Sequence, residues 1–161
     1  MLRWIMRIEL ETGMCSGEIL NLTEKQIDLQ QRMVRLQETK NHTARTIQLG
    51  RAAAMLFQET LENPERLFID SELVFFGNPG RDGVRRPYHF APLWRRLKQQ
   101  VGIEDFRFYD LQYKAVSWFV ELGLSDQEVS AISGHKSMQM LQRYIHLRTE
   151  NLFSKLDKLQ Y

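Results

Sequence analysis

The hydrophobic pattern of the chain passes from helical spacing to strand alternation and back. Residues 2–12 place Leu2, Ile5, Met6 and Leu10 on one face of a 3.6-residue repeat, which predicts an amphipathic helix ended by Gly13. Ser16 is the expected N-cap of a short helix over 17–22 that holds Glu18 and Ile19. The period then falls to two. Ile27 and Leu29 alternate around Asp28, and the alternation recurs in MVRLQ at 33–37 and RTIQL at 45–49, with Asn41-His42 in the turn between the last two runs. Residues 26–50 therefore predict a small three-stranded antiparallel sheet.

Helical spacing returns over about 51–62 and stops near Asn63-Pro64, since a residue before proline disfavours the helical region. Residues 63–88 read as loop around one apolar element at 73–76, punctuated by Gly77, Asn78, Pro79, Gly80 and Gly83. A helix at about 90–101 carries Leu93, Trp94, Leu97 and Val101, and one at about 109–122 carries Leu111, Ala115, Trp118, Phe119 and Leu122. Ser125 with Glu128 forms a capping-box signal for a helix over 126–133. Ser137 is the expected cap of 138–143, and Thr149 that of a final helix reaching about 159. The fold class is α+β, mainly α-helical, with one domain over residues 1–161, no linker and no repeat.

Composition narrows the function classes. At 161 residues and 43% hydrophobic, the chain can bury one real core and is not a disordered segment. No apolar run approaches the roughly 18–20 residues of a membrane span, and the N-terminus lacks a signal-peptide pattern, so a cytoplasmic protein without membrane association is expected. A lone cysteine, Cys15, excludes an internal disulfide framework. The formal net charge of +2 says little, but its distribution says more. Arg81, Arg85, Arg86, Arg95, Arg96, Lys98 and Arg107 are opposed in the same stretch by Asp82, Glu104 and Asp105 alone. Such an excess can neutralise phosphates, and it can equally be a solvated helix face and loop.

The four histidines, His42, His89, His135 and His146, show no metal-ligand spacing, so neither a metal nor any other cofactor is expected. The 77–83 loop has neither the glycine spacing nor the Gly-Lys-Ser/Thr ending of a phosphate loop. Metal-free chemistry on a phosphodiester needs a nucleophile, cations over the nonbridging oxygens and a proton donor for the leaving oxygen. Tyr144, Lys40 and His135 could supply parts of that set, although each residue type at such a position is commonly structural.

Taken in order, TGMCSGEILNL at 12–22, ETKNHTARTIQL at 38–49, FRFYDLQYKAVSWFVELGLS at 106–125 and SGHKSMQMLQRYIHL at 133–147 resemble the catalytic domain of tyrosine recombinases, the phage integrase family. The resemblance covers nearly the whole chain and is most specific at Gly134-His135-Lys136-Ser137 and Gln142-Arg143-Tyr144. It implies a mostly helical body with a small three-stranded sheet, and chemistry in which a tyrosine attacks the DNA backbone to form a 3′-phosphotyrosyl link. The nucleophile would be Tyr144, the leaving-group lysine on the turn between strands Lys40, and the histidine supporting the scissile phosphate His135.

Other family positions are altered. The first phosphate-clamping arginine falls on Cys15, and the histidine, arginine and histidine of the next box fall on Tyr109, Gln112 and Tyr113. Neither replacement restores a permanent forked cation. Lys114 cannot substitute for position 112, because two residues on a helix lie about 200° apart. The expected function is therefore duplex DNA binding in the context of DNA integration and recombination, with strand cleavage impaired. An active recombinase using Tyr144 and a protein-interaction module on the same fold are the competing readings. The family's N-terminal DNA-clamping domain is not expected before Leu2. Leu152, Phe153, Leu156 and Leu159 share a helical face that needs burial, so the C-terminal segment is expected to pack on a partner, with self-association one outcome, or to fold back on its own domain.

Overall fold

A computed structural model describes residues 1–37, 44–64 and 71–135. Its first helix, α1 (Leu2–Thr12), is the central element, packed against α2 (Ser16–Leu20), α3 (Arg51–Leu61) and α5 (Tyr109–Glu121). The buried face of α1 is Leu2, Ile5, Ile8, Glu9 and Thr12. Met6 and Leu10, expected on that face, are half-buried and look instead across an open groove toward Tyr88, Leu93 and Leu97. Gly13 ends α1 in the left-handed conformation at φ +63°, which a residue with a Cβ rarely adopts.

The N-cap of α2 is Cys15, one residue earlier than expected. Cys15 has the extended backbone of a cap, and its N–H donates to Glu18 Oε2 at 3.0 Å. A carboxylate three residues into the helix thus replaces the hydroxyl expected of Ser16.

After a 3₁₀ turn at Glu24–Gln26 come β1 (Ile27–Asp28), β2 (Met33–Leu36) and β3 (Arg45–Gln48), antiparallel in that order, with Val34 opposite both Ile27 and Ile47. Val34, Leu36, Ile47 and Leu49 turn into the core with α1 and α3, as period-two burial requires. The expected sheet is present. The turn expected to hold Lys40 lies outside the described residues.

The apolar element at 73–76 is held by isolated bridges, Thr23 to Leu73 and Phe76 to Pro87, with Val74 and Phe75 fully buried. The next helix, α4 (Ala91–Val101), has no fully buried residue. Trp94 anchors it against Phe106 and Phe108, whose ring centroids are 5.9 and 5.1 Å away. Leu93 and Val101, placed by the sequence in this helix, are exposed. On α5, Trp118 and Leu122 are exposed as well. The buried arc of α5 rotates toward Val116 and Val120, which meet Val129 of α6 (Asp126–Ser133). The capping box of α6 forms as expected, with Ser125 N–H and Oγ both 2.7 Å from Glu128 Oε2. The segments expected as helices at 138–143 and 149–159 lie outside the described residues.

Candidate nucleic-acid site

Four elements converge around the α1–α2 turn. Cys15 comes from α2, Arg45 from β3, Gln112 from α5, and Ser133, Gly134 and His135 from the end of α6. Gln112 is 4% exposed and turns inward. Its Nε2 donates to Gly13 O at 2.8 Å and, at a longer 3.5 Å, faces Ser133 O. Both partners are carbonyls, so the amide group must point its nitrogen at them, and its remaining polar atom, Oε1, is an acceptor. Cys15 is half-buried, and its thiol is pushed up to about 11, first by burial and next by the charge of Glu18. At neutral pH it is an uncharged thiol.

A buried ion pair lies beneath these two positions. Arg45 Nη1 reaches Glu18 Oε1 at 2.5 Å and Nη2 reaches Oε2 at 3.0 Å, with side-chain exposures of 14% and 9%. Arg45 Nη2 also donates to Ile132 O at 3.3 Å. One guanidinium therefore ties α2 to the last turn of α6 with the bidentate geometry that arginine alone provides. Its Nε is buried without a hydrogen-bond partner among the described residues. The guanidinium also fills the space where a side chain at position 134 would begin: a Cβ there would clash with Arg45 Nη1. Gly134, at φ +75°, is thus required twice, by its backbone and by its neighbour.

His135 follows directly and is half-buried. Ser133 Oγ lies 2.6 Å from its Nδ1, and Ser130 Oγ donates to its carbonyl at 2.5 Å. Burial, and then the charge of Arg45, hold the imidazole below its ordinary value near 6.5, partly offset by Glu18.

Tyr109 and Tyr113 stand one turn apart on α5 and are exposed. Arg81, Arg95, Arg96 and Arg107 are exposed without a side-chain partner among the described residues. Three other members of that basic stretch are engaged. Arg85 donates to Gly77 O at 3.0 Å and lies over the Phe76 ring, Arg86 pairs with Asp82 at 2.6 Å, and Lys98 donates to Glu104 O at 2.6 Å. Lys40 and Tyr144 lie outside the described residues. Among the described residues no group of three or more His, Cys, Asp or Glu could hold a metal ion, and no helix is long and apolar enough to cross a membrane.

Sequence reasoning missed Glu18, Arg45 and Ser133 as parts of this site. Arg45 carried a legible signal: strand alternation puts it on the same face as Ile47 and Leu49, and a cation on a core face demands a buried partner.

Residues 1–151 match the phage integrase family. A shufflon-specific DNA recombinase of Escherichia coli is 41% identical over 158 residues, covering 98% of this chain and 38% of that protein, so the chain spans well under half of its relative's length. Among solved structures, the XerA recombinase superposes with a TM-score of 0.75 at 20% identity, covering 99% of this chain and 59% of that one. The Tn1549 transposon integrase in complex with circular intermediate DNA superposes with a TM-score of 0.68 at 18% identity, covering 88% and 52%. The fold, the order of the motifs and the family match agree, and the chain belongs to the phage integrase family of tyrosine recombinases.

Proposed function

We propose that this domain binds duplex DNA through its exposed cations and does not cleave it at an ordinary recombinase rate. The observation that carries the reading is Gln112, whose amide nitrogen is committed to Gly13 O and Ser133 O. A phosphate arriving at that position would meet an acceptor oxygen where the family resemblance calls for a forked cation. The neutral thiol of Cys15 supplies no charge at the other clamp position. Removing one donor that stabilises a transition state costs roughly 3–4 kcal/mol in comparable enzyme sites, and two charged donors are absent here. Tyr144 and Lys40 keep the roles that the resemblance gives them, nucleophile and leaving-group proton donor. A phenol near its ordinary pKa of about 10 is a poor nucleophile without neighbouring cations. DNA as the partner is supported by family membership, by the DNA complex of the Tn1549 integrase, and by Arg81, Arg95, Arg96 and Arg107, which have no side-chain partner among the described residues.

The test uses the full chain on two substrates. On intact duplex, binding across a salt series should be weak and largely independent of sequence, with log K falling against log salt at a slope of about −3 to −5, as expected for three to six phosphate contacts. On a nicked suicide duplex, a denaturing gel should show no covalent adduct for the natural chain. Cys15→Arg with Gln112→Arg should tighten binding at the scissile phosphate, and any trace adduct should vanish on Tyr144→Phe. A Tyr144-dependent adduct from the natural chain at ordinary recombinase rates would overturn the impaired-cleavage reading. Absence of duplex binding at low salt would favour a protein-interaction module.

A further inference from the structure

The hydrogen bonds around Ser133 fix more than a ring orientation. Ser133 Oγ lies 2.7 Å from Val129 O, one turn back on α6, and 2.6 Å from His135 Nδ1. A serine hydroxyl has a single proton. The carbonyl can only accept, so the contact at 2.7 Å requires the proton to point at Val129 O. The ring nitrogen must then be the donor to Ser133 Oγ. One arrangement satisfies both contacts: Ser133 donates to the helix, and His135 Nδ1–H donates to Ser133. On a neutral ring this leaves Nε2, on the opposite side, with a lone pair and no hydrogen.

We infer that Ser133 is a positioning residue that locks His135 in the Nδ1–H tautomer, so that His135 can donate a hydrogen bond to a DNA phosphate only after taking up a proton at Nε2. This rests on the DNA-binding reading for its phosphate, though not for its tautomer. A neutral Nε2 facing a phosphate oxygen sets two acceptors against each other. A protonated one makes a charge-assisted bond. The surroundings disfavour the charged ring. Among the described residues, the charged groups acting on it are Arg45 of β3, which disfavours the imidazolium, and Glu18 of α2, which favours it but is already bound to Arg45. From α5 the nearby group is the neutral Gln112, which faces Ser133 O, and from α6 the contacts are the neutral Ser130 and Ser133. DNA binding is then linked to proton uptake, and affinity rises as pH falls.

The experiment has two arms on the full chain. The first, without DNA, records imidazole ¹⁵N shifts at a pH where the ring is neutral. The expected result for His135 is a protonated Nδ1 and an unprotonated Nε2. In Ser133→Ala the ring should change to the Nε2–H form. The second arm measures Kd for a generic duplex at fixed salt from pH 8 to pH 5.5. Full uptake of one proton tightens Kd by up to about tenfold per pH unit. The natural chain should show a several-fold gain over this range. Ser133→Ala should lose most of it, because its Nε2–H donates without a proton from solution, and His135→Gln reports what the other histidines contribute. A neutral Nε2–H ring in the natural chain overturns the proposal, as does an unchanged pH profile in Ser133→Ala. Nδ1–H in the natural chain with no DNA binding at any pH overturns the DNA reading and the linkage, and leaves the positioning role of Ser133 standing.

Discussion

The interior of the site and the stretch from 81 to 107 handle polar groups in opposite ways. Around the α1–α2 turn the polar side chains are consumed within the protein: Gln112 and Ser133 serve backbone carbonyls, and Arg45 serves Glu18 and Ile132. Along 81–107, four exposed arginines have no side-chain partner among the described residues, and Trp94 anchors α4. The inner region spends its polar side chains on the protein's own backbone and on one buried ion pair. The outer region leaves its charge exposed, and its packing comes from Tyr88, Phe90, Trp94, Leu97 and Phe106 at the edge of the core. On the proposed reading, the residues that hold the site together and the cations offered to DNA are largely separate sets.

The sharpest way to probe the inner region is Glu9. It is 1% exposed, Oε2 has no hydrogen-bond partner among the described residues, and burial pushes its carboxyl up to about 8. The folded state holds this proton more tightly than the unfolded chain. The resulting stability is fully present below the ordinary value of 4.5, is lost as pH rises toward about 8, and stays lost above it. Glu9→Gln should remove this slope and stabilise the protein at pH 9 by on the order of 4 kcal/mol, read as Tm against pH beside the natural chain. His135 acts oppositely: its lowered value means stability is lost as pH falls below about 6.5.

Arg45→Ala comes next. It would strand the Glu18 carboxylate, which is 9% exposed, at a cost of about 3–5 kcal/mol by denaturant unfolding. Arg45→Met with Glu18→Leu should recover much of this, since a buried pair is often replaceable by apolar groups of similar volume. Gly134→Ala should cost about 2 kcal/mol or more, combining a Cβ at positive φ with a clash against Arg45. The smallest stability effect belongs to the outer region. Arg95→Ala, Arg96→Ala and Arg107→Ala should each leave Tm nearly unchanged, while each that touches a phosphate lowers the steepness of the salt dependence by about 1. A large loss of Tm in any of the three would break the separation.

Much of this was legible in the sequence, for stated reasons. The sheet was readable because Val34, Leu36, Ile47 and Leu49 alternate with polar residues, and α6 because Ser125 and Glu128 cap it. That Cys15 and Gln112 stand where the resemblance places arginines was an expectation from motif order alone, and the inward turn of Gln112 was not legible, because its partners, Gly13 and Ser133, are distant in sequence. Period alone also misjudged α5. Trp118 and Leu122 continue the stripe begun by Leu111, yet α5 is covered by α1 on one side and α6 on the other, so the buried arc follows Val116 and Val120. The cap of α2 was misplaced because Cys15 is a poor capping side chain, and the carboxylate of Glu18 does the work from inside the helix.

The glycine before His135 has a second role besides ending α6: it leaves room for the guanidinium of Arg45. A side chain at 134 would have to displace the guanidinium that holds Glu18, so a change there is felt first in folding. A Gly-His pair in such a sequence therefore reports a packing requirement and says nothing of whether strands are cut.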